Sequence, residues 1–195
     1  MSISLDGFVA GPEQSREDPL GKRGRELHGW HLGDERANEA DETAAGWLMR
    51  PRGAYLMGRN MFGPIRGEWE EDWRGWWGPA PPYHAPVFVL THHARAPIEM
   101  KGGTTFYFVT DGPAAALAQA KAAAGDRDVK IGGGVATVRQ YLIASAIDEL
   151  HLAIAPVVLG RGEVLFAGID LPGLGYSVKE HVATEKATHV VLRRG

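Results

Sequence analysis

The 195-residue chain contains no cysteine. That absence removes disulfides, thiolate catalysis and cysteine-ligated metals at once, and it fits a reducing compartment such as the cytoplasm. No apolar run approaches the roughly 20 residues that a membrane-spanning helix needs, and the first residues show neither a basic n-region nor a long apolar h-region. The expectation is a soluble, unexported, cytoplasmic protein. Positive charge is not in excess either: 21 Lys and Arg stand against 24 Asp and Glu, a formal net charge of −3. This balance gives no general attraction to nucleic acid or to an anionic membrane, so an anionic small ligand needs a local site. Internal repeats are also missing. With 44% apolar and 23% charged residues, the chain has enough material for one sizeable core, and a single domain over 1–195 is expected.

Apolar strand-like runs alternate with helical patterns. Candidate strands lie at 3–9, 54–57, 87–91, 105–110, 129–131, 150–158, 176–182 and 188–192. Candidate helices cover 34–49, an alanine-rich stretch from Pro113 to a stop at Gly125, and a segment opening at Val135 with Val138 and Leu142 at helical spacing. Such alternation predicts an α/β sandwich with a largely parallel sheet. The last two strands lie too close for an intervening helix and should pair antiparallel, which makes the sheet mixed. Two long loops remain, 11–33 and 63–86, the second holding Trp69, Trp73, Trp76 and Trp77. Those rings suit a lid, a subunit face or plain packing.

"VKIGGGVATV" places Gly132, Gly133 and Gly134 between a strand and a helix. Without a Cβ, the backbone there can come close to a ligand and aim its N–H groups at it, and the helix dipole favours an anion. The spacing is not the Rossmann fingerprint, and no Lys-Ser/Thr pair follows as in a P-loop. A pyrophosphate cradle and a tight turn packed on a neighbouring strand both account for it. "AYLMGRNMF" offers a second strand that ends in glycine, Gly58, followed by Arg59 and Asn60. "VFVLTHHAR" offers a third, with Thr91, His92, His93 and Arg95. Ligands of parallel sheets bind at the carboxyl ends of strands. Hydroxyl, imidazole and guanidinium groups gathered there suit a ribose phosphate.

"YLMGRNMF", "VFVLTHH" and "VKIGGGVATVRQYLIASAIDELHL" resemble, in order and spacing, segments of dihydrofolate reductases, and "THVVLRR" resembles their final strand. "SISLDGFVAG" is closer to the reductase domain of riboflavin-biosynthesis proteins, the RibD C-terminal domain family. Segments like "GWWGPAPPYHAPVFVLTHH" recur in its small single-domain members. The resemblance spans nearly the whole chain. It implies a three-layer α/β/α sandwich of the dihydrofolate reductase-like kind, with a mostly parallel mixed sheet of about eight strands and an antiparallel C-terminal hairpin. It also implies an NADPH-dependent oxidoreductase acting on CH–OH or CH–NH groups. Gly58, Arg59 and Asn60 would then touch the cofactor phosphates, and Thr91 and His92 would sit by the adenosine 2′-phosphate. Gly132, Gly133, Gly134 and Val135 would hold the pyrophosphate, with Thr137 adding a hydroxyl. Arg59 and Thr91 favour NADPH over NADH, since both can bond the extra phosphate.

The same resemblance puts Asp6 beside the nicotinamide as the catalytic or substrate-orienting residue, although Asp-Gly is also a common turn pair. Two departures bear on the substrate. A glutamate usually precedes the glycine turn in riboflavin-type reductases, where this chain has Ile131, and the deaminase half of the bifunctional proteins is missing. For a folate substrate, Glu42 with Asp41 beside it falls near the place of the substrate acid, yet surface helices are rich in acids. Met1 stands almost inside the first strand, where relatives usually have several more strand residues, so the expectation is a truncated start that thins the centre of the sheet. His28, His31, His92 and His93 complete no recognised ligand set, and no metal is expected. Arg161 and Glu163, between two glycines and an apolar run, read as a solvated hairpin tip or a substrate-phosphate site. Three functions follow: a reductase of the 5-amino-6-(5-phosphoribosylamino)uracil type, a dihydrofolate or pterin reductase, and a nucleotide-binding module without catalysis. The partners expected are a small-molecule substrate and a second copy of the chain as a homodimer, with neither nucleic acid nor membrane.

Overall fold

The computed structural model describes residues 1–32, 38–63, 67–69 and 72–195. In chain order its elements are β1 (Ser2–Ser4), α1 (Gly29–Leu32), α2 (Glu39–Met49), β2 (Ala54–Gly58), α3 (Arg59–Phe62), β3 (Pro86–Leu90), β4 (Ile98–Glu99), β5 (Thr105–Val109), α4 (Gly112–Ala124), β6 (Val129–Ile131), α5 (Val135–Ile143), β7 (Glu149–Ala155), β8 (Tyr176–Ala183) and β9 (Thr188–Arg194). Short 3-10 helices add Gly24–His28 and Lys101–Gly103. The chain divides into two compact units, one of Met1–Arg50 with Arg139–Gly195 and one of Pro51–Val138. Where the sequence suggests one sheet of about eight strands, the nine strands of the described residues bond into a sheet of four and a sheet of five. The α/β class and the mixed, mostly parallel pairing are as expected.

In the Pro51–Val138 unit the sheet order is β4-β5-β3-β2-β6. β2, β3, β5 and β6 are parallel, and the two-residue β4 joins β5 antiparallel. All five residues of β2 are buried. A parallel strand covered on both faces must be apolar throughout, which is why "AYLM" and "VFVL" stand out in the sequence. α4 opens with Pro113 in its first turn, stops at Gly125 in a positive-φ conformation (61°), and buries Ala116, Ala120 and Ala124 at i, i+4 spacing. Small side chains let it lie close: a Cβ on Gly53 would come within 2.7 Å of Ala124. Around Met57, Phe62, Val87, Val89 and Phe106 the core recruits Trp69, Trp73 and Trp77. The indole N–H of Trp73 donates to the Phe62 carbonyl at 2.9 Å, and that of Trp69 to the His93 carbonyl at 3.0 Å. Trp76 packs on Trp73 with ring centres 4.7 Å apart.

The other unit has the order β1-β7-β9-β8, with β1 parallel to β7 and the two later pairings antiparallel. The C-terminal hairpin is therefore as the sequence suggests, with a bulge between Val178 and Glu180. The first strand is shorter than the 3–9 expected. Gly7, at φ 88°, donates its N–H to the Ser4 carbonyl at 3.1 Å, and the chain turns back so that Ser4 N–H reaches the Phe8 carbonyl at 2.8 Å. β7 likewise ends at Ala155, ahead of Pro156, instead of running to 158. α2 begins at Glu39 because the Asn38 side chain accepts the Asp41 N–H at 3.0 Å, an N-cap. The earlier part of the helix expected from 34, residues 34–37, lies outside the described residues, as do Gly33 and residues 64–66, 70 and 71 of the two long loops. The first loop is not plain coil: its Gly24–His28 turn and α1 bury Leu27 and Trp30. No helix of the described residues is long and apolar enough to cross a membrane.

Candidate functional site

Three adjacent parallel strands, β3, β2 and β6, end at one edge of their sheet. Gly58 stands opposite Leu90, and Leu56 opposite Ile131. The segments that leave those strands are thereby set side by side: Arg59 and Asn60 after β2, Thr91 and His92 after β3, residues 132–134 after β6. Hydrogen bonds stitch the glycine turn to β2. Gly132 N–H donates to the Leu56 carbonyl and Gly58 N–H to the Gly133 carbonyl, each at 2.8 Å. Gly133 holds a φ of 134°, which an L side chain resists. The Gly134 carbonyl then accepts from Val138 at 3.0 Å and starts α5. Among the described residues the N–H groups of Gly133 and Gly134 donate no hydrogen bond.

The glycines differ in what demands them. A Cβ on Gly58 would collide with the Thr137 hydroxyl, so close packing requires that glycine. Thr137, 6% exposed, is held against Gly58. On Gly132 and Gly134 a Cβ would meet nothing nearer than 3.8 and 3.7 Å, the latter being Asn60 Cβ. Protein packing therefore leaves room above the turn, beside two unused donors at the head of a nine-residue helix. Next to it, the Arg59 guanidinium lies 3.6 Å over the Trp69 ring centre and reaches the buried Thr91 hydroxyl in a long 3.5 Å bond. That hydroxyl also accepts His93 N–H at 3.2 Å. His92 and Asn60 are exposed. Trp69 was not a candidate in the sequence, where nothing separates it from its neighbouring tryptophans; only the fold lays it under Arg59. Two free N–H groups, a guanidinium and a hydroxyl along one edge fit a phosphorylated dinucleotide such as NADPH.

Asp6 belongs to the other unit, and its carboxylate is held by its own chain. The Ser4 hydroxyl donates to Oδ1 at 2.5 Å, Leu159 N–H to Oδ1 at 3.1 Å and Gly160 N–H to Oδ2 at 2.6 Å. The Ser4 bond, followed by those from Gly160 and Leu159, lowers its pKa below the usual aspartate value. Asp6 is thus an ionised acceptor that ties the end of β1 to the segment after β7. Glu42 is exposed, whereas Asp41 is wholly buried and accepts from His189 Nε2 at 2.7 Å. Arg161 pairs with Glu13 at 3.5 Å on the surface. His93 pairs with Glu68 at 2.9 Å, and no group of three or more His, Asp or Glu among the described residues is arranged to hold a metal. His28, against His31 at 3.1 Å, is driven down to about 4 by burial, by His31 and by the N-terminal ammonium. Lys130 on β6, between Val129 and Ile131, is lowered to about 8 by burial and by Arg52.

The model of the RibD C-terminal domain family matches residues 1–190. The chain belongs to that family. Among solved structures this RibD C-terminal domain protein is similar to one described as a riboflavin biosynthesis protein from Shewanella sp. PV-4, with TM-score 0.61 and 22% identity over 99% of this chain and 95% of that one. It is similar to a diaminohydroxyphosphoribosylaminopyrimidine deaminase/5-amino-6-(5-phosphoribosylamino)uracil reductase from Thermotoga maritima, with TM-score 0.55 and 15% identity over 99% of this chain but only 54% of that one. It is also similar to the dihydrofolate reductase from Enterococcus faecalis complexed with NADP(H) and RAB-propyl, with TM-score 0.51 and 14% identity over 98% and 92% of the two chains. At these identities the likeness is one of fold. No match was found among curated proteins.

Proposed function

We propose that the protein is a cytoplasmic, NADPH-dependent reductase of the riboflavin-biosynthesis type, acting on 5-amino-6-(5-phosphoribosylamino)uracil or a related small heterocyclic or ribityl compound. The observation that carries this reading is the convergence of Arg59, Thr91, His92 and the open glycine turn at the carboxyl ends of three neighbouring strands. Membership of the RibD C-terminal domain family supports it. When bound, NADPH supplies the hydride. The protein's part is to hold it: Gly133 and Gly134 N–H at the pyrophosphate with Val135 opening the helix behind them, Arg59 and Thr91 at the 2′-phosphate, and His92, Asn60 and Gly58 around them. Thr137 serves this site from below, by fixing Gly58. Neither nucleic acid nor membrane enters this function.

Asp6 is assigned as a positioning residue. Its bonds to Ser4, Leu159 and Gly160 orient the turn that follows β1, and its low pKa disfavours proton donation. Of the two α2 acids that the dihydrofolate alternative would use, Glu42 is exposed and Asp41 is bonded to His189. A homodimer is part of the proposal; β8, exposed at seven of its eight residues on the edge of its sheet, is the surface it offers.

Titration with NADPH and NADH, followed by nicotinamide fluorescence and tryptophan quenching, tests the cofactor site. Tight, NADPH-selective binding is expected, followed by NADPH oxidation with the pyrimidine substrate. Binding without oxidation of NADPH by any heterocycle would favour the nucleotide-binding module, and no binding at all would refute both. Sedimentation velocity tests the dimer.

A further inference from the structure

The unit formed by Met1–Arg50 and Arg139–Gly195 carries a groove of about 630 Å³ between α2 and the strands β7, β9 and β8, a volume in the range that holds a drug-sized ligand. None of the residues assigned to NADPH lines it. Its floor is fixed without a ligand. The buried Asp41 carboxylate accepts from His189 Nε2 at 2.7 Å and from the Thr184 hydroxyl at 3.1 Å, both on Oδ1. His189 Nδ1 in turn lies 3.1 Å from His151 Nε2. Trp47 of α2 stands edge-on to His151, with ring centres 5.2 Å apart and planes at 85°. Helix, central strand and C-terminal strand are thus joined through one polar chain, and the rings lining the groove are held in place.

The formal charge of the groove is net negative, with Glu39, Glu149 and Glu180 set against Arg193. Arg193 is its only cation from Lys or Arg among the described lining residues, and it is already engaged by two carboxylates, Glu149 at 2.6 Å and Glu180 at 3.2 Å. Glu39 adds a further carboxylate to the rim. Behind the floor, Asp41 Oδ2 has no hydrogen-bond partner among the described residues. Carboxylates therefore outnumber the guanidinium, and the walls between them are the Trp47 ring with Ala44, Val182 and Val191. An anion is repelled here, while a cation with an apolar body gains both charge attraction and contact with an aromatic ring.

We propose that this groove is a second binding site, one that takes a small organic amine: a primary ammonium carried on a flat, apolar body. The body lies against Trp47 and the small aliphatic side chains, and the ammonium lies among Glu39, Glu149 and Glu180. This site does not depend on the reductase reading, because its charge is opposite to that needed for a dinucleotide phosphate.

Phenethylamine, 2-phenylethanol and 3-phenylpropionate share one body and differ in charge. Each is titrated into the full chain by calorimetry and by saturation transfer from protein to ligand. Phenethylamine is expected to bind at least tenfold tighter than the alcohol, and the carboxylate weakest. The double substitution Glu149→Gln with Glu180→Gln, which leaves Arg193 without its two acidic partners, is expected to weaken phenethylamine tenfold or more and the alcohol little. Trp47→Ala is expected to weaken both. Should Trp47→Ala fail to fold, Trp47→Phe is expected to keep phenethylamine within about threefold, and Glu180→Gln on the exposed edge still reads the charge. Equal binding of amine and alcohol, no binding of the amine, or amine binding indifferent to the Glu149→Gln/Glu180→Gln pair overturns the proposal. Self-association that fills the groove, seen as concentration-dependent sedimentation with no amine binding, overturns it as well.

Discussion

Arg59 has neighbours that restrict it: the ring of Trp69 beneath its guanidinium and the Thr91 hydroxyl at its tip. A side chain already held in place loses less entropy when it bonds a phosphate, and a charge-assisted bond contributes about 1.5–3 kcal/mol. Arg59→Ala is therefore expected to weaken NADPH by about 10- to 100-fold while changing NADH only slightly. Equal losses for the two nucleotides, measured by titration, would refute a 2′-phosphate role. Asp6 separates two roles through two substitutions. Asp6→Ala is expected to keep NADPH affinity and lose turnover. Asp6→Asn retains an acceptor for Leu159 or Gly160 and is expected to recover a large part of it, whereas a proton relay would be lost in both. Unchanged turnover in Asp6→Ala removes the residue from the mechanism.

At the scale of elements, the strand ends and the glycine turn carry different burdens. Gly58→Ala pushes a methyl into the Thr137 hydroxyl and is expected to cost about 1–3 kcal/mol of stability, read as a lower Tm. Gly134→Ala meets only ordinary contacts and is expected to leave Tm within a few degrees while weakening NADPH tenfold or more, because the methyl enters the space above the turn. If both variants lost stability alone, the turn would be a packing device. Legibility also varied by element. The cores of β2 and β3 were readable because parallel strands buried on both faces must be apolar. β4 was not, since two residues paired antiparallel to β5 carry no periodicity. Residues 5–9 read as strand because Leu5, Phe8 and Val9 are apolar, yet Gly7 at φ 88° turns the chain. The short helical turns around Leu27 and Trp30 fell below the length at which a helical period can be recognised.

For the whole molecule, stability should depend on pH in two separate windows. His28 has a folded pKa near 4 against 6.5 unfolded, so below pH 6.5 the unfolded chain takes up a proton that the folded chain refuses. Stability is expected to fall as pH drops from 6.5 to about 4, by up to about 3 kcal/mol, and His28→Gln should flatten that limb of a Tm-against-pH curve. Lys130 acts at the alkaline end. Lowered to about 8 from 10.5, it makes the folded chain bind fewer protons than the unfolded one between those values, so stability rises with pH there. Tyr83, pushed up by burial, opposes the rise above pH 10. Lys130→Met should remove the alkaline gain; a Tm curve of unchanged slope would show that Lys130 titrates normally.

The sequence by itself determined the α/β class, the order of the main strands and helices, and the residue types that follow β2, β3 and β6, because each of these is written in short local patterns. Tertiary structure alone decided which distant residues meet. Asp41 and His189 stand 148 positions apart and touch only once α2 lies against the sheet of β7, β9 and β8. Trp69 becomes the platform for Arg59 only when its loop packs on Phe62 and Phe108. Contacts of that kind depend on the register and packing of whole elements, and no local run of residues encodes them.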